Sequence, residues 1–236
     1  VRKYDTDEDT AFGDGTANSS RFGKRTEIIY QDTPVPYTWS WAYHEGIDRH
    51  TVNNDLDEAV ADRLELQAQA KVDEFNKHHS EFISENAGET MNLDSMDADG
   101  VLKLFNELSV YFTNKKTRGD RVANVIPQIL NIIVDHPSTT LEKRSSANTD
   151  DNNIVKFKGF EITELPEDAF QNEEVVYAYV KNVGKAFTGI NTSRTIESED
   201  FDGVALQGAG KAGEFILDDN KDAVVKVTHG GDKGNA

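Results

Sequence analysis

From Asn54 to Asn86 the chain holds one helical pattern for longer than ordinary globular helices run, and this stretch constrains the fold more than any other. Leu56, Val60, Leu64, Ala68, Val72, Phe75, His79 and Phe82 recur every three or four residues, the spacing of one helix face. Asn54 stands where a cap belongs, Asp55, Asp57 and Glu58 suit the positive end of the helix dipole, and Gly88 lies just past the end. Such a helix is about 45 Å long. A rod of that length exceeds the needs of a small core and points to the backbone of something extended.

The flanking segments differ in kind. Val1 to Lys24 is rich in Asp, Thr, Ser and Gly and has too few apolar side chains to nucleate a core. Thr26 to Tyr30 and Val35 to Tyr43 read as strands. In the second, Tyr37, Trp39, Trp41 and Tyr43 alternate with smaller residues and make one face apolar. Pro34 and Pro36 favour an edge position, so a projecting hairpin is expected. A two-stranded ribbon is marginal in water, and neighbouring subunits are expected to cover its aromatic face.

Beyond the long helix, Asp99 to Asn114 reads as an amphipathic helix burying Val101, Leu104, Phe105, Leu108, Tyr111 and Phe112. A strand, Val122 to Ile126, leads to a helix that starts at Pro127, runs through Val134 and is closed by His136 and Pro137. Ser138 to Asn153 is polar and reads as a loop. Strands follow at Ile154 to Lys158, Phe160 to Glu164, Val175 to Val180, Lys185 to Ile190 and Ala223 to Thr228, with a glycine-rich connection at Gly208 to Gly213. The pattern is α+β, in a chain of 236 residues that is large enough to bury a real core.

Charge and composition exclude several functions. With 25 basic and 43 acidic side chains the net charge is −18, which disfavours sequence-specific DNA reading. The absence of cysteine removes disulfides, thiolate metal sites and cysteine nucleophiles. The longest apolar-rich stretch, Ile126 to Val134, is far short of the ~20 residues that span a bilayer, and no signal peptide is visible.

Candidate motifs have plainer readings. Gly208 to Gly213 contains Gly210-Lys211, but Ala205 and Ala212 occupy the places where a phosphate-binding loop needs Gly and Ser or Thr. Ser95, Asp97, Asp99 and Gly100 resemble part of a calcium loop, yet Ser95 and Asn106 fall where acids are required, so helix capping is the better reading. Asp5, Asp7 and Asp9 alternate as such ligands do, but Thr10 follows them where a glycine is needed. The adjacent His78 and His79 lack the four-residue spacing of a zinc pair. His44-Glu45 and Asp48-Arg49-His50 have no nucleophile beside them and read as polar contacts where hairpin meets helix. Arg118-Gly119-Asp120 reads as a turn, and the Asn18 and Asn191 sequons carry no meaning without a targeting signal. No catalytic, cofactor or metal residue is therefore assigned.

The order of hairpin, very long helix, α/β unit and returning strands resembles the Hong Kong 97-type capsid fold. The strings Phe22-Gly23-Lys24-Arg25-Thr26-Glu27-Ile28-Ile29-Tyr30, His44-Glu45-Gly46-Ile47-Asp48-Arg49, Thr51-Val52-Asn53-Asn54-Asp55-Leu56 and Thr195-Ile196-Glu197-Ser198-Glu199-Asp200-Phe201-Asp202-Gly203 are similar to major capsid proteins of siphophages of streptococci and lactococci. The resemblance implies an extended loop over 1–46, a peripheral domain with its spine helix over 47–93, an axial domain over 94–189, and strands returning to the peripheral domain with a tail over 190–236. The family's amino-terminal arm would precede Val1. The implied function is a shell subunit, not an enzyme, that assembles into hexamers and pentamers of an icosahedral head around double-stranded DNA, built in the bacterial cytoplasm with scaffolding and portal proteins. Tyr37, Trp39, Trp41, Tyr43, Arg21, Lys24 and Arg25 are the candidate intersubunit contacts. Some relatives crosslink through a loop lysine, for which only Lys24 qualifies; with no partner pattern, Lys24 reads as surface charge. The alternatives are an encapsulin-like compartment with the same fold and a soluble surface-binding or adhesin module.

Overall fold

The computed structural model describes residues 34–52, 55–136, 147–148, 153–154 and 156–230. The chain divides into two units, Val1–Pro36 and Tyr37–Ala236, and every described element belongs to the second. In chain order these are β1 (Trp39–Asp48), α1 (Leu56–Asn86), β2 (Glu89–Leu93), α2 (Ala98–Asn114), β3 (Arg121–Val125), α3 (Pro127–Asp135), β4 (Ala147–Asn148), β5 (Asn153–Ile154), β6 (Lys156–Phe157), β7 (Phe160–Glu164), β8 (Glu174–Val180), β9 (Gly184–Glu197), β10 (Gly203–Ile216) and β11 (Val224–His229). A three-stranded sheet has the order β1-β10-β9 and a six-stranded sheet the order β2-β11-β8-β3-β7-β6, while β4 pairs with β5. The fold is α+β, as expected.

The core lies between the six-stranded sheet and α2 with α3. Helix α2 buries Val101, Leu104, Phe105, Leu108 and Phe112, and α3 buries Ile129 and Ile133. Tyr111 is only partly buried against this cluster. The Phe105 ring meets Phe157 at 5.2 Å and Phe160 at 5.7 Å, edge to face in both cases. At the start of α2 the Asp97 carboxylate accepts from the Gly100 N–H at 2.7 Å, and this bond holds its carboxyl below the usual range. The calcium-like pattern is thus a helix cap. Pro127 opens α3 at its first turn, where a missing N–H costs nothing.

Helix α1 has 31 residues against 17 for α2 and is the longest described helix, as its pattern predicts. The expected stripe, however, is not its buried face. Val72 is 58% exposed and Ala68 is also exposed, whereas the fully buried positions are Ser80 and Ser84. A run spaced strictly by four overshoots each turn by about 40°, so Leu56, Val60, Leu64, Ala68 and Val72 wind away from a fixed face. Asn54 lies outside the described residues, and Asp55 at the cap position makes no side-chain capping bond. Nor does Gly88 end the helix in a left-handed turn. Ala87 is extended, and the Gly88 N–H donates to the carbonyls of Lys221 (3.1 Å) and Val224 (3.0 Å). A Cβ on Gly88 would sit 2.6 Å from the Lys221 carbonyl oxygen, so glycine is required by this close approach.

A buried carboxylate ties α1 to the six-stranded sheet. Glu174 accepts from Ser84 Oγ at 2.7 Å and from the Tyr177 hydroxyl, and Lys226 Nζ lies 2.9 Å away. Burial first, and then the bond to Glu174, push the Tyr177 phenol up, and burial does the same to Tyr179 and Tyr111.

Several expectations need correction. Gly208 to Gly213 is the interior of β10, paired with β1 as far as Ala212 and with β9 except at a bulge at Lys211, and not a connection. Strand β9 extends to Glu197, and β2, a five-residue strand with Leu93 as its buried side chain, gave no alternation to read. Residues 189 and 190 both lie within β9, and β11 takes its place in the six-stranded sheet between β2 and β8. The strand Thr26 to Tyr30 and most of the loop Ser138 to Asn153 lie outside the described residues.

Two outcomes follow from this packing. Phe160→Ala removes a fully buried ring from between Phe105 and Phe112 and is expected to lower the unfolding free energy by about 3–5 kcal/mol in a urea titration. The raised tyrosines mean that the folded chain keeps protons that the unfolded chain releases from about pH 10, so stability is full below that value and falls above it. Tyr177→Phe is expected to flatten this alkaline loss, measured as unfolding midpoint against pH.

Candidate functional site

The aromatic ribbon is where the three-stranded sheet meets α1. Strand β1 pairs antiparallel with β10, placing Trp41 opposite Gly210 and Tyr43 opposite Gly208. The rings lie down on these glycines: a Cβ at Gly210 would be 2.1 Å from Trp41 Cζ2, and one at Gly208 would be 2.3 Å from Tyr43 Cε1. Tyr37 lies over Gly189 in the same way, at 2.4 Å from its Cζ. Any other residue at these three positions would lift an aromatic ring off the sheet.

The flattened rings leave room for the helix. Trp39 stacks on His78 at 4.1 Å and meets the edge of Phe75 at 4.7 Å, while Trp41 meets Phe75 at 5.4 Å. Lys71 Nζ lies 4.3 Å above the Trp41 ring and donates to Asn191 Oδ1 at 3.0 Å. Trp41 is 9% exposed, so for this ring the cover expected from a neighbour is supplied by the chain's own helix. Tyr37 remains 51% exposed, and the Tyr43 hydroxyl pairs at 2.7 Å with Ser193 Oγ.

A second buried carboxylate anchors the junction. Glu214 accepts from Trp39 Nε1 (3.2 Å) and Thr38 Oγ1 (3.1 Å), and His79 Nδ1 lies 2.8 Å away, so β1, α1 and β10 meet at one side chain. Nearer the amino end of α1, the Arg63 guanidinium grips both oxygens of Glu45 and holds its carboxyl below the usual range. Neither contact was legible beforehand, because Glu214 stands in a strand with no partner pattern. The glycine match did leave a signal: Gly208 and Gly210 are two apart, as are Tyr43 and Trp41.

The other motifs resolve into structure. Lys211 of the phosphate-loop lookalike is an exposed residue of β10. Arg49 and His50 each lie 3.5 Å from Asp202, and His44 Nε2 lies 3.1 Å from Gln207 Nε2, so these polar groups join β1 to β10 and its preceding turn. Arg118 to Asp120 turns between α2 and β3, with Gly119 at φ +125°. Arg21, Lys24 and Arg25 lie outside the described residues. Among the described residues no group of His, Asp and Glu is placed to hold a metal ion, and no helix is long and apolar enough to cross a membrane.

No family model and no curated protein matches the sequence. Solved structures do. A capsid structure of the cyanophage P-SCSP1u matches with a TM-score of 0.64 at 10% identity, covering 89% of this chain and 81% of that one. The mature capsid of bacteriophage PhiM1 gives 0.62 at 9% identity over 90% and 80% of the two chains. A virus-like particle from Pyrococcus furiosus gives 0.52 at 15% identity over 85% and 79%. At such identities the likeness is one of architecture: this chain has the fold of these phage capsid and virus-like-particle structures.

Proposed function

We propose that the chain is a major capsid protein of a tailed bacteriophage, a shell subunit that self-assembles into hexamers and pentamers of an icosahedral head around double-stranded DNA and carries out no catalysis. The fold shared with capsid structures over about nine tenths of the chain carries this reading. On the same reading the protein resides in the virion shell, is assembled in the bacterial cytoplasm with scaffolding and portal proteins, and lies near the packaged DNA without reading it. A net charge of −18 suits a container that must not bind the polymer entering it. The peripheral domain is α1 with the three-stranded sheet, the axial domain is the six-stranded sheet with α2 and α3, and residues 1–46 include the extended loop.

Surface left uncovered in the single chain supports an assembling protein. Leu66 and Val72 on α1 are 53% and 58% exposed, and Tyr37 adjoins Phe187 at the edge of the three-stranded sheet. Arg21, Lys24, Arg25, Tyr37 and Tyr43 are the proposed contacts with neighbouring subunits, with Trp39 and Trp41 holding the ribbon from beneath. Electron microscopy of the expressed full-length protein tests the reading. Closed shells are expected, and a protein that stays monomeric at high concentration overturns it; DNA inside native particles separates a phage head from a cargo-bearing compartment.

Two substitutions separate folding from assembly. Trp41→Ala empties a site covered within the chain and is expected to lower folding stability by about 3–5 kcal/mol in chemical denaturation. Tyr37→Ser changes a half-exposed ring and is expected to leave the unfolding midpoint within a few degrees of the parent while reducing the yield of sedimenting shells.

A further inference from the structure

A group of cations gathers at one end of the six-stranded sheet of this acidic chain. Strand β3 starts there at Arg121, β7 starts beside it at Phe160, and β8 ends opposite at Val180, so the turns 115–120, 158–159 and 181–185 share that end. They carry Lys115, Lys116, Arg118, Lys158, Lys181 and Lys185, all exposed, against Asp120. Lys115 is neutralised by Asp222 at 3.2 Å and Lys181 by Glu161. Lys116, Arg118, Lys158 and Lys185 make no ion pair among the described residues. Two of them hold backbone conformations that glycine would adopt at lower cost, Lys116 at φ 54° where α2 ends and Lys158 at φ 50° before Gly159. At those positions the local backbone does not explain the lysine.

The complement stands at the far end of α1. Asp55, Glu58, Asp62 and Glu65 fall three or four residues apart on one face, are exposed, and make no ion pair among the described residues. Asp55, hydrogen-bonded to Glu58 and alike in charge, and then Asp62 hold the Glu58 carboxyl above the usual range, a crowding that a cation would relieve. One chain cannot bring the two regions together. The carboxyl end of α1 reaches the basic end of the sheet, where Phe82 lies 3.8 Å from the Cβ position of Gly184, and Glu58 is about 36 Å away along the helix.

Resting on the shell reading above, we infer that the basic turns around Lys116, Arg118 and Lys158 dock on the acidic amino-terminal face of α1 in a second copy of this chain. The contact is head to tail, so each copy offers one basic and one acidic end and the interface propagates into rings or lattices. A duplex nucleic acid is the other polyanion that suits lysine-rich turns, but a chain with 43 acids to 25 bases repels it overall, while the crowded carboxylates of α1 lie on the same molecule.

The test uses full-length protein and two charge-reversed sets, Lys116→Glu/Arg118→Glu/Lys158→Glu and Glu58→Lys/Asp62→Lys/Glu65→Lys, followed by sedimentation velocity and electron microscopy. Each set alone is expected to weaken association about tenfold or more, and a mixture of the two is expected to co-assemble, since each then offers what the other lacks. The parent's own association is expected to weaken about tenfold between low and high sodium chloride, a readout independent of any variant. Parent shells that form equally at both salt concentrations, or reversed variants that assemble as the parent does, overturn the inference and leave the shell reading intact. A parent that never assembles overturns both. A basic-set variant that closes into normal shells but no longer retards a 200-base-pair DNA fragment assigns the turns to nucleic acid and likewise overturns it.

Discussion

The contact between the Trp41 ring and the backbone at Gly210 governs how α1 sits. An indole standing upright on a sheet holds a helix away, whereas one lying across a glycine brings its own face to bear on the helix. Phe75 and Lys71 then reach it directly, and Trp39 is brought against His78 with its indole N–H turned to Glu214. Glu214 of β10 can be buried because Thr38 and Trp39 at the start of β1 donate to it and His79 of α1 lies against it, and a buried carboxylate without those partners would be strongly disfavoured. The seat of the helix and the satisfaction of the charge are one arrangement.

Two buried carboxylates thus hold α1 along its second half. Glu214 engages it at His79, and Glu174, within a different sheet, engages it about a turn and a half later at Ser84. Further toward the carboxyl end, Gly88 passes so close to the Lys221 carbonyl that the chain direction into β2 is set. The first half is fixed to β1 at Glu45, which Arg63 grips and Gln67 also hydrogen-bonds, and its remaining surface is acidic with Leu66 and Val72 uncovered. A helix fixed at one end and open at the other acts as a strut, rigid enough to carry a contact far from the core.

What was legible in the sequence follows the physics of each element. The existence of α1, α2, α3 and β7 was readable because periodicity, a cap and Pro127 are local properties of the chain. The buried face of α1 was not, because tertiary contacts selected Ser80 and Ser84 in place of Ala68 and Val72, and small polar side chains fit where the helix approaches a sheet closely. Strand β10 was misread as a connection because glycine carries a strong local turn signal, while its value here comes from partners more than 160 residues away in sequence. The junction was half legible for the same reason. Its aromatics announced a face to be covered, but nothing in the neighbourhood of Glu214 announced the donors that would gather on it.

The distribution of charge gives the strut a direction. Surface ion pairs contribute little one at a time and weaken with salt, so they do not hold a shell together alone. They do decide which surfaces meet and in which orientation, because a mismatched approach places acid against acid on a chain of charge −18. Apolar residues such as Tyr37, Leu66 and Val72 supply area that favours contact but little that distinguishes one orientation from another. On the proposed shell reading, separating the two tasks would keep each subunit contact weak enough to reverse while a closed assembly gained from many such contacts at once. On the proposed shell reading, a subunit that adds to a growing surface, and leaves it when wrongly placed, requires that combination, and the acidic amino-terminal face of α1, set far from the basic turns of the six-stranded sheet, supplies it.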